Sequence, residues 1–303
     1  MSVSSLDLRG VLPPITTPFD AHGEVDLDAL ARNVERYEEV ALRGYVAFGS
    51  NGEAVHLTAA ERLRVLETLR RRAAPGKVIV AGVNELSTRA AVEATRRAAG
   101  AGADAALVIT PYFYKGAMTQ DLLRRFFLEV AASSPLPVLV YNVPQNTGVV
   151  IEPATVAALA EHDRILGVKD SSGNLAALAE TVRRAPAGFQ VLVGNAGIFY
   201  PSLAMGAAGA VLAVACLAPG PCVELHRAAA AGDHDQARDL QQRLAPIARM
   251  VTVELGVAGL KAALDLAGFA GGAPRGPLRP VGSAGRRRLA EEMERSGLFT
   301  DLA

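Results

Sequence analysis

The chain has 303 residues, half of them hydrophobic, and its 31 basic residues balance its 31 acidic ones. That is enough apolar sequence to bury a large core, and the absence of a dense basic stripe interleaved with aromatics argues against a nucleic-acid partner. Two cysteines, Cys216 and Cys222, are too few for a disulfide framework, and the five histidines show no HxH or HExxH spacing, so no metal is expected.

Residues 1–10 carry neither the apolar core of a signal peptide nor the Arg-rich character of a transit peptide, so a cytoplasmic protein is expected. A first apolar run at 10–17 predicts a strand, followed by a helical pattern at 26–42 and a second strand at 44–49. The helix predicted at 58–73 opens with a capping box, Thr58 with Glu61. The alternation continues with strands at 77–82, 105–110, 137–142, 165–169, 189–194 and 210–215. Helices are expected at 87–101, 119–132, 153–160, 175–184 and 198–205, the one at 153 beginning with a proline suited to a first helical position. The strand runs are continuous rather than alternating, as strands buried on both faces of a parallel sheet must be.

Residues 195–223 contain no charge and are long enough to cross a bilayer, but Pro201, Gly206, Gly209, Pro219, Gly220 and Pro221 interrupt them. They read as protein interior, and no membrane association is expected. Beyond them only helices are predicted, at 222–231, 233–250, 257–266 and 283–297. Eight strand–helix units point to a (β/α)8 TIM barrel carrying the active site over residues 1–218, with residues 219–303 as a helical extension packed on it.

In such a barrel the carboxyl ends of the strands ring the active site. Those ends supply Thr16 and Thr17, then Gly49-Ser50-Asn51-Gly52-Glu53, Thr110-Pro111-Tyr112-Phe113-Tyr114, Tyr141-Asn142-Val143-Pro144 and Lys169-Asp170-Ser171. Lys169 stands out because only four of the 31 basic residues are lysines: Lys77, Lys115, Lys169 and Lys261. Arginine serves wherever a solvated charge suffices, whereas only an amine can lose its proton and attack a carbonyl. A free lysine amine is neutral about once in a few thousand at pH 7, and burial raises that fraction. Added to a ketone with loss of water, it gives a protonated imine that permits carbon–carbon cleavage next to it. The competing reading of Lys169 is a snorkelling surface cation, and that of Tyr141 a rim tyrosine with its hydroxyl in solvent. Tyr141 is otherwise a candidate proton carrier. The turn at 49–52 can turn backbone N–H groups toward a carboxylate, although Ser-Asn-Gly is also ordinary turn chemistry.

Taken together, Gly49-Ser50-Asn51-Gly52-Glu53, Tyr141-Asn142-Val143-Pro144 and Gly167-Val168-Lys169-Asp170-Ser171 resemble the dihydrodipicolinate synthase and N-acetylneuraminate lyase superfamily, the pyruvate-handling class I aldolases. The resemblance runs from Gly10 to about Leu298. It implies a TIM barrel with a helical C-terminal extension assembled as a tetramer or dimer, a small 2-oxo acid as substrate and no cofactor. It makes Lys169 the Schiff-base lysine, Tyr141 the proton-relay tyrosine, and Ser50 with Asn51 the carboxylate-binding turn. Thr17, Ser171, Gly194 and Val211 are expected to line the substrate pocket.

The finer resemblance is to 4-hydroxy-2-oxoglutarate aldolase, through Gly49-Ser50-Asn51-Gly52-Glu53, Ala103-Asp104-Ala105-Ala106, Pro144-Gln145-Asn146-Thr147-Gly148 and Gly256-Val257-Ala258-Gly259-Leu260-Lys261. It implies cleavage to pyruvate and glyoxylate. Asn146 departs from the synthase pattern, which resembles Tyr-Asn-Val-Pro-x-Arg-Thr-Gly and uses the arginine to hold a second carboxylate. Phe113 departs from a tyrosine that enters a neighbouring subunit's relay, and Tyr112 or Tyr114 is the candidate to replace it. The alternatives are 4-hydroxy-tetrahydrodipicolinate synthase, another pyruvate-dependent sugar-acid aldolase or dehydratase, and a 2-oxo acid binding module without turnover.

Overall fold

A computed structural model describes residues 6–299, so the first half of the N-terminal stretch 1–10 and the two outer limits of the expected domains lie outside the described residues. Eight strands form one parallel sheet: β1 (Gly10–Val11), β2 (Gly44–Ala47), β3 (Val78–Val83), β4 (Ala105–Ile109), β5 (Val138–Asn142), β6 (Ile165–Asp170), β7 (Gln190–Val193) and β8 (Gly209–Ala210). From β2 to β8 each strand pairs with its neighbour in sequence, and β1 pairs with β8. Between β1 and β2 the ladder is a single bridge, Pro14 to Val46, with Ile15 N–H donating to the Val46 carbonyl at 3.0 Å. The result is the (β/α)8 barrel that the alternation predicts.

The helices are α1 (Leu27–Glu38), α2 (Ala59–Arg72), α3 (Thr88–Gly100), α4 (Gln120–Ser133), α5 (Pro144–Thr147), α6 (Pro153–Leu159), α7 (Leu175–Arg184) and α8 (Phe199–Ala204). After β8 come α9 (Val214–Leu217), α10 (Pro219–Ala231), α11 (His234–Arg249), α12 (Gly256–Leu266) and α13 (Ser283–Ser296). The Thr58–Glu61 capping box forms as expected, with both of its hydrogen bonds.

Two expected strands are corrected. The run 10–17 pairs regularly only over Gly10–Val11, because Pro13 and Pro14 have no N–H to give a ladder. The run 210–215 is strand only at its start and enters helix at Val214, since a short apolar run fits a buried strand or a buried helix equally well. The expected division after residue 218 falls just before α10, which packs against β1 and α8 on the barrel wall. We propose counting α10 with the barrel and only α11 to α13 with the extension. Among the described residues, no helix is long and apolar enough to cross a membrane.

Side chains alternate between two cores. Leu12, Val46, Val80, Leu107, Leu139 and Leu192 fill the barrel interior, while Val108, Val140, Val168 and Val193 face the helices. One irregularity in this alternation places the site. Val138 of β5 pairs with Ile165 of β6, but the next residue, Leu139, pairs with Gly167, so Leu166 is an inserted bulge. A shift of one residue exchanges the two faces of a strand, and beyond the bulge Tyr141 lies opposite Lys169. Gly167 is required there, because a Cβ would lie 2.0 Å from the Gln190 carbonyl oxygen of β7.

Candidate active site

Lys169 lies one residue before the end of β6 and is 4% exposed, which removes the surface-cation reading. Its neighbours in register are Tyr141 on β5 and Leu192 on β7, both part of the interior core, as is Val211. The Lys169 Nζ sits 4.2 Å from the centre of the Tyr141 ring. Tyr141 is buried too, so its hydroxyl is not a solvent-facing rim group. Burial alone would raise its pKa, but the Lys169 charge and the Ser50 hydroxyl outweigh that and hold it below the ordinary value of 10.

The turn after β2 completes the cluster. Ser50–Gly52 form one turn of 3₁₀ helix, and Ser50 Oγ lies 3.4 Å from Tyr141 Oη. Asn146, on the short helix α5 after β5, donates its amide to Ser50 Oγ at 3.1 Å. The N–H groups of Ser50 and Asn51 open the turn, where a helix offers no internal acceptor for them. Thr17 is buried and donates its hydroxyl to the Gly52 carbonyl at 2.8 Å, so it braces the turn from the segment that follows β1. Phe48 and Glu53, on either side of the turn, both hold left-handed backbone, an unfavourable conformation for residues other than glycine and one that clusters at functional sites.

Ser171 is buried next to Gly194, where a Cβ would approach Ser171 Oγ to 2.0 Å. The missing side chain at 194 therefore makes room for Ser171. Tyr112 is half-buried against the outer core, whereas Phe113 and Tyr114 are 72% and 73% exposed and stack edge to face with their centres 5.1 Å apart.

Reading the sequence for rim chemistry missed the pair that fixes the strand ends. Asn142 Nδ2 donates to Asp170 Oδ2 at 2.7 Å, and Asn142 Oδ1 accepts the Ile151 N–H at 3.1 Å. Asp170 Oδ1 accepts from the Ser172 N–H and hydroxyl, and the Asp170 carbonyl accepts the Gly194 N–H at 2.6 Å. Each member of the pair directly follows a residue singled out for chemistry, Tyr141 or Lys169, so adjacency was the available signal. Also missed was a buried ion pair behind the turn, Glu53 with Lys261 at 2.6 Å.

Comparison with known proteins bears on this geometry. Residues 7–296 match the dihydrodipicolinate synthetase family. A 4-hydroxy-tetrahydrodipicolinate synthase of Exiguobacterium is 39% identical over 94% of this chain and 97% of its own length. A DapA-like lyase of Halobacterium salinarum is 37% identical over 97% of this chain and 96% of its own. Among solved structures, dihydrodipicolinate synthase from Thermotoga maritima superposes with a TM-score of 0.92 at 29% identity, covering 97% of this chain and 100% of that one. The finer expectation of a 4-hydroxy-2-oxoglutarate aldolase is not what these relatives are named.

Proposed function

The chain belongs to the dihydrodipicolinate synthetase family, a family of pyruvate-dependent class I lyases, and on that premise we propose that Lys169 forms a Schiff base with the keto carbon of pyruvate or another 2-oxo acid. The observation that carries this reading is a buried lysine amine 4.2 Å from the ring of a tyrosine that is itself within 3.4 Å of Ser50. The amine lone pair adds to C2, the former carbonyl oxygen takes up protons and leaves as water, and a protonated imine remains. The imine accepts the electrons of the breaking C3–C4 bond, or, from its enamine, supplies them for the reverse condensation. Tyr141 takes the proton from the C4 hydroxyl in cleavage and returns it in condensation, directly or through a water. The N–H groups at Ser50 and Asn51 hold the C1 carboxylate.

For the second substrate, the names of the relatives support a 4-hydroxy-tetrahydrodipicolinate synthase, which we take as the first reading. A product of that skeleton requires pyruvate to condense with a carboxylated amino aldehyde. A specific observation favours the second reading, cleavage of 4-hydroxy-2-oxoglutarate. Asn146 bonds Ser50 at the position where the synthase pattern carries arginine, and an amide cannot give a carboxylate the bidentate, charged contact that a guanidinium gives.

Tyr112 and Tyr114 stay in the proposal as hydroxyls for a neighbouring copy's site, in a cytoplasmic homotetramer or dimer that needs no metal or organic cofactor. Mass analysis of the products formed from pyruvate with the amino aldehyde, and of those formed from 4-hydroxy-2-oxoglutarate alone, decides between the two. Efficient condensation supports the first reading. Release of pyruvate and glyoxylate without condensation supports the second, and neither product would overturn both.

A further inference from the structure

We infer that Lys261, on α12 of the C-terminal extension, is a positioning residue for the 2-oxo acid's carboxylate, acting through Glu53 on the turn at Ser50–Gly52. The inference rests on the reading of Lys169 and that turn given above.

Lys261 is fully buried, and a chain so sparing of lysine spends one here. Its Nζ donates to Glu53 Oε1 at 2.6 Å and to the Ala273 carbonyl at 3.0 Å, and lies 4.3 Å from the centre of the Phe19 ring. Burial lowers its pKa, and the Glu53 charge offsets part of that loss. The other Glu53 oxygen accepts the Arg275 N–H at 2.9 Å and faces His56 Nδ1 at 3.1 Å. The side-chain hydrogen bonds of Glu53 thus go to residue 56 and to the segment 261–275.

The backbone of Glu53 works in the other direction. Its N–H donates to the Ser50 carbonyl and closes the turn, at a φ of 52°. A left-handed glutamate holds that conformation only where its surroundings fix it, and here the fixing contact is an ion pair from outside the barrel. The turn then presents Ser50 to Tyr141, and Thr17 and Asn146 brace it from two other segments. A compact ammonium suits the enclosed space, because α12 packs against the turn and the Lys261 backbone is closed over by Gly271, where a Cβ would lie 1.9 Å from the Lys261 carbonyl oxygen.

The test separates positioning from bulk stability. E53Q, and the double variant E53Q/K261M, which leaves no unpaired buried charge, are compared with the unaltered protein. Two readouts are taken: the urea midpoint, and the pyruvate concentration giving half-maximal borohydride-trapped adduct on Lys169. Loss of one well-aimed hydrogen bond to the carboxylate corresponds to about a tenfold rise in half-saturating pyruvate. The double variant is expected to keep a near-native urea midpoint, to show that tenfold rise, and to reach full trapping at saturation. E53Q alone should show the same rise. A double variant with native half-saturation would overturn the inference, as would one that fails to fold, which would make the pair a structural support. No adduct on the unaltered protein would instead remove the Lys169 reading on which the inference stands.

Discussion

Truncating Asn142 to alanine should destabilise the barrel while leaving both Lys169 and Tyr141 in place. The side chain makes two buried bonds: its amide donates to Asp170 at 2.7 Å, and its carbonyl accepts the Ile151 N–H at 3.1 Å. A hydrogen bond to a charged group contributes about 1.5–3 kcal/mol, and a buried N–H left without an acceptor costs about 1–3 kcal/mol. The expected loss is therefore about 2.5–6 kcal/mol, a large share of the roughly 5–15 kcal/mol that holds a protein folded. In urea this appears as a fall in midpoint of at least about 1 M with an unchanged slope.

N142D provides the matching pH test. It sets two carboxylates face to face, which must share a proton, so the folded pair titrates above the unfolded value. A raised folded pKa contributes stability below the unfolded pKa and loses it as pH rises through the folded one, so N142D should be weaker at pH 8 than at pH 5. A loss below about 1 kcal/mol for N142A, or a pH-independent N142D, would refute the claim that this pair ties β5 to β6.

Two further outcomes follow from the same geometry. Tyr141 titrates below 10 because the Lys169 charge overrides burial, so K169M should push its tyrosinate absorbance step above 10 and toward those of Tyr37 and Tyr45, which burial raises. The sign for stability is that of a depressed acid: the contribution exists above the unfolded pKa and is gone once pH falls through the folded one, so it is absent at pH 7. G194A forces a Cβ to within 2.0 Å of Ser171 Oγ and 3.1 Å of the Asp170 carbonyl, and overpacking of this kind costs about 1–3 kcal/mol. A native urea midpoint for G194A would show that β6 and β7 can separate without loss.

The barrel was legible in the sequence because continuous Val, Ile and Leu runs separated by capped helices leave few other architectures. Its seam was not, because prolines at 13 and 14 and the alanine-rich run after 209 look apolar whether or not they pair. Lys169 could be found from composition, as a lysine where arginine is the habit. Its inward direction could not, because that depends on a bulge at Leu166 that no periodicity announces within an all-apolar strand. Ser50 and Tyr141 were placed on one rim, after the second strand and at the end of the fifth, and the structure brings them within 3.4 Å. The Glu53–Lys261 pair was invisible for a different reason: its partners are 208 residues apart, and pairing at that distance is set by tertiary packing alone.

Mass spectrometry of the protein incubated with pyruvate and then borohydride, beside K169A, reports whether Lys169 forms the imine. A mass increase of one reduced pyruvate is expected on the unaltered protein, mapped to Lys169, and none on the folded variant. A folded, unaltered protein that acquires no adduct, or an adduct that persists in K169A, would contradict the Lys169 imine.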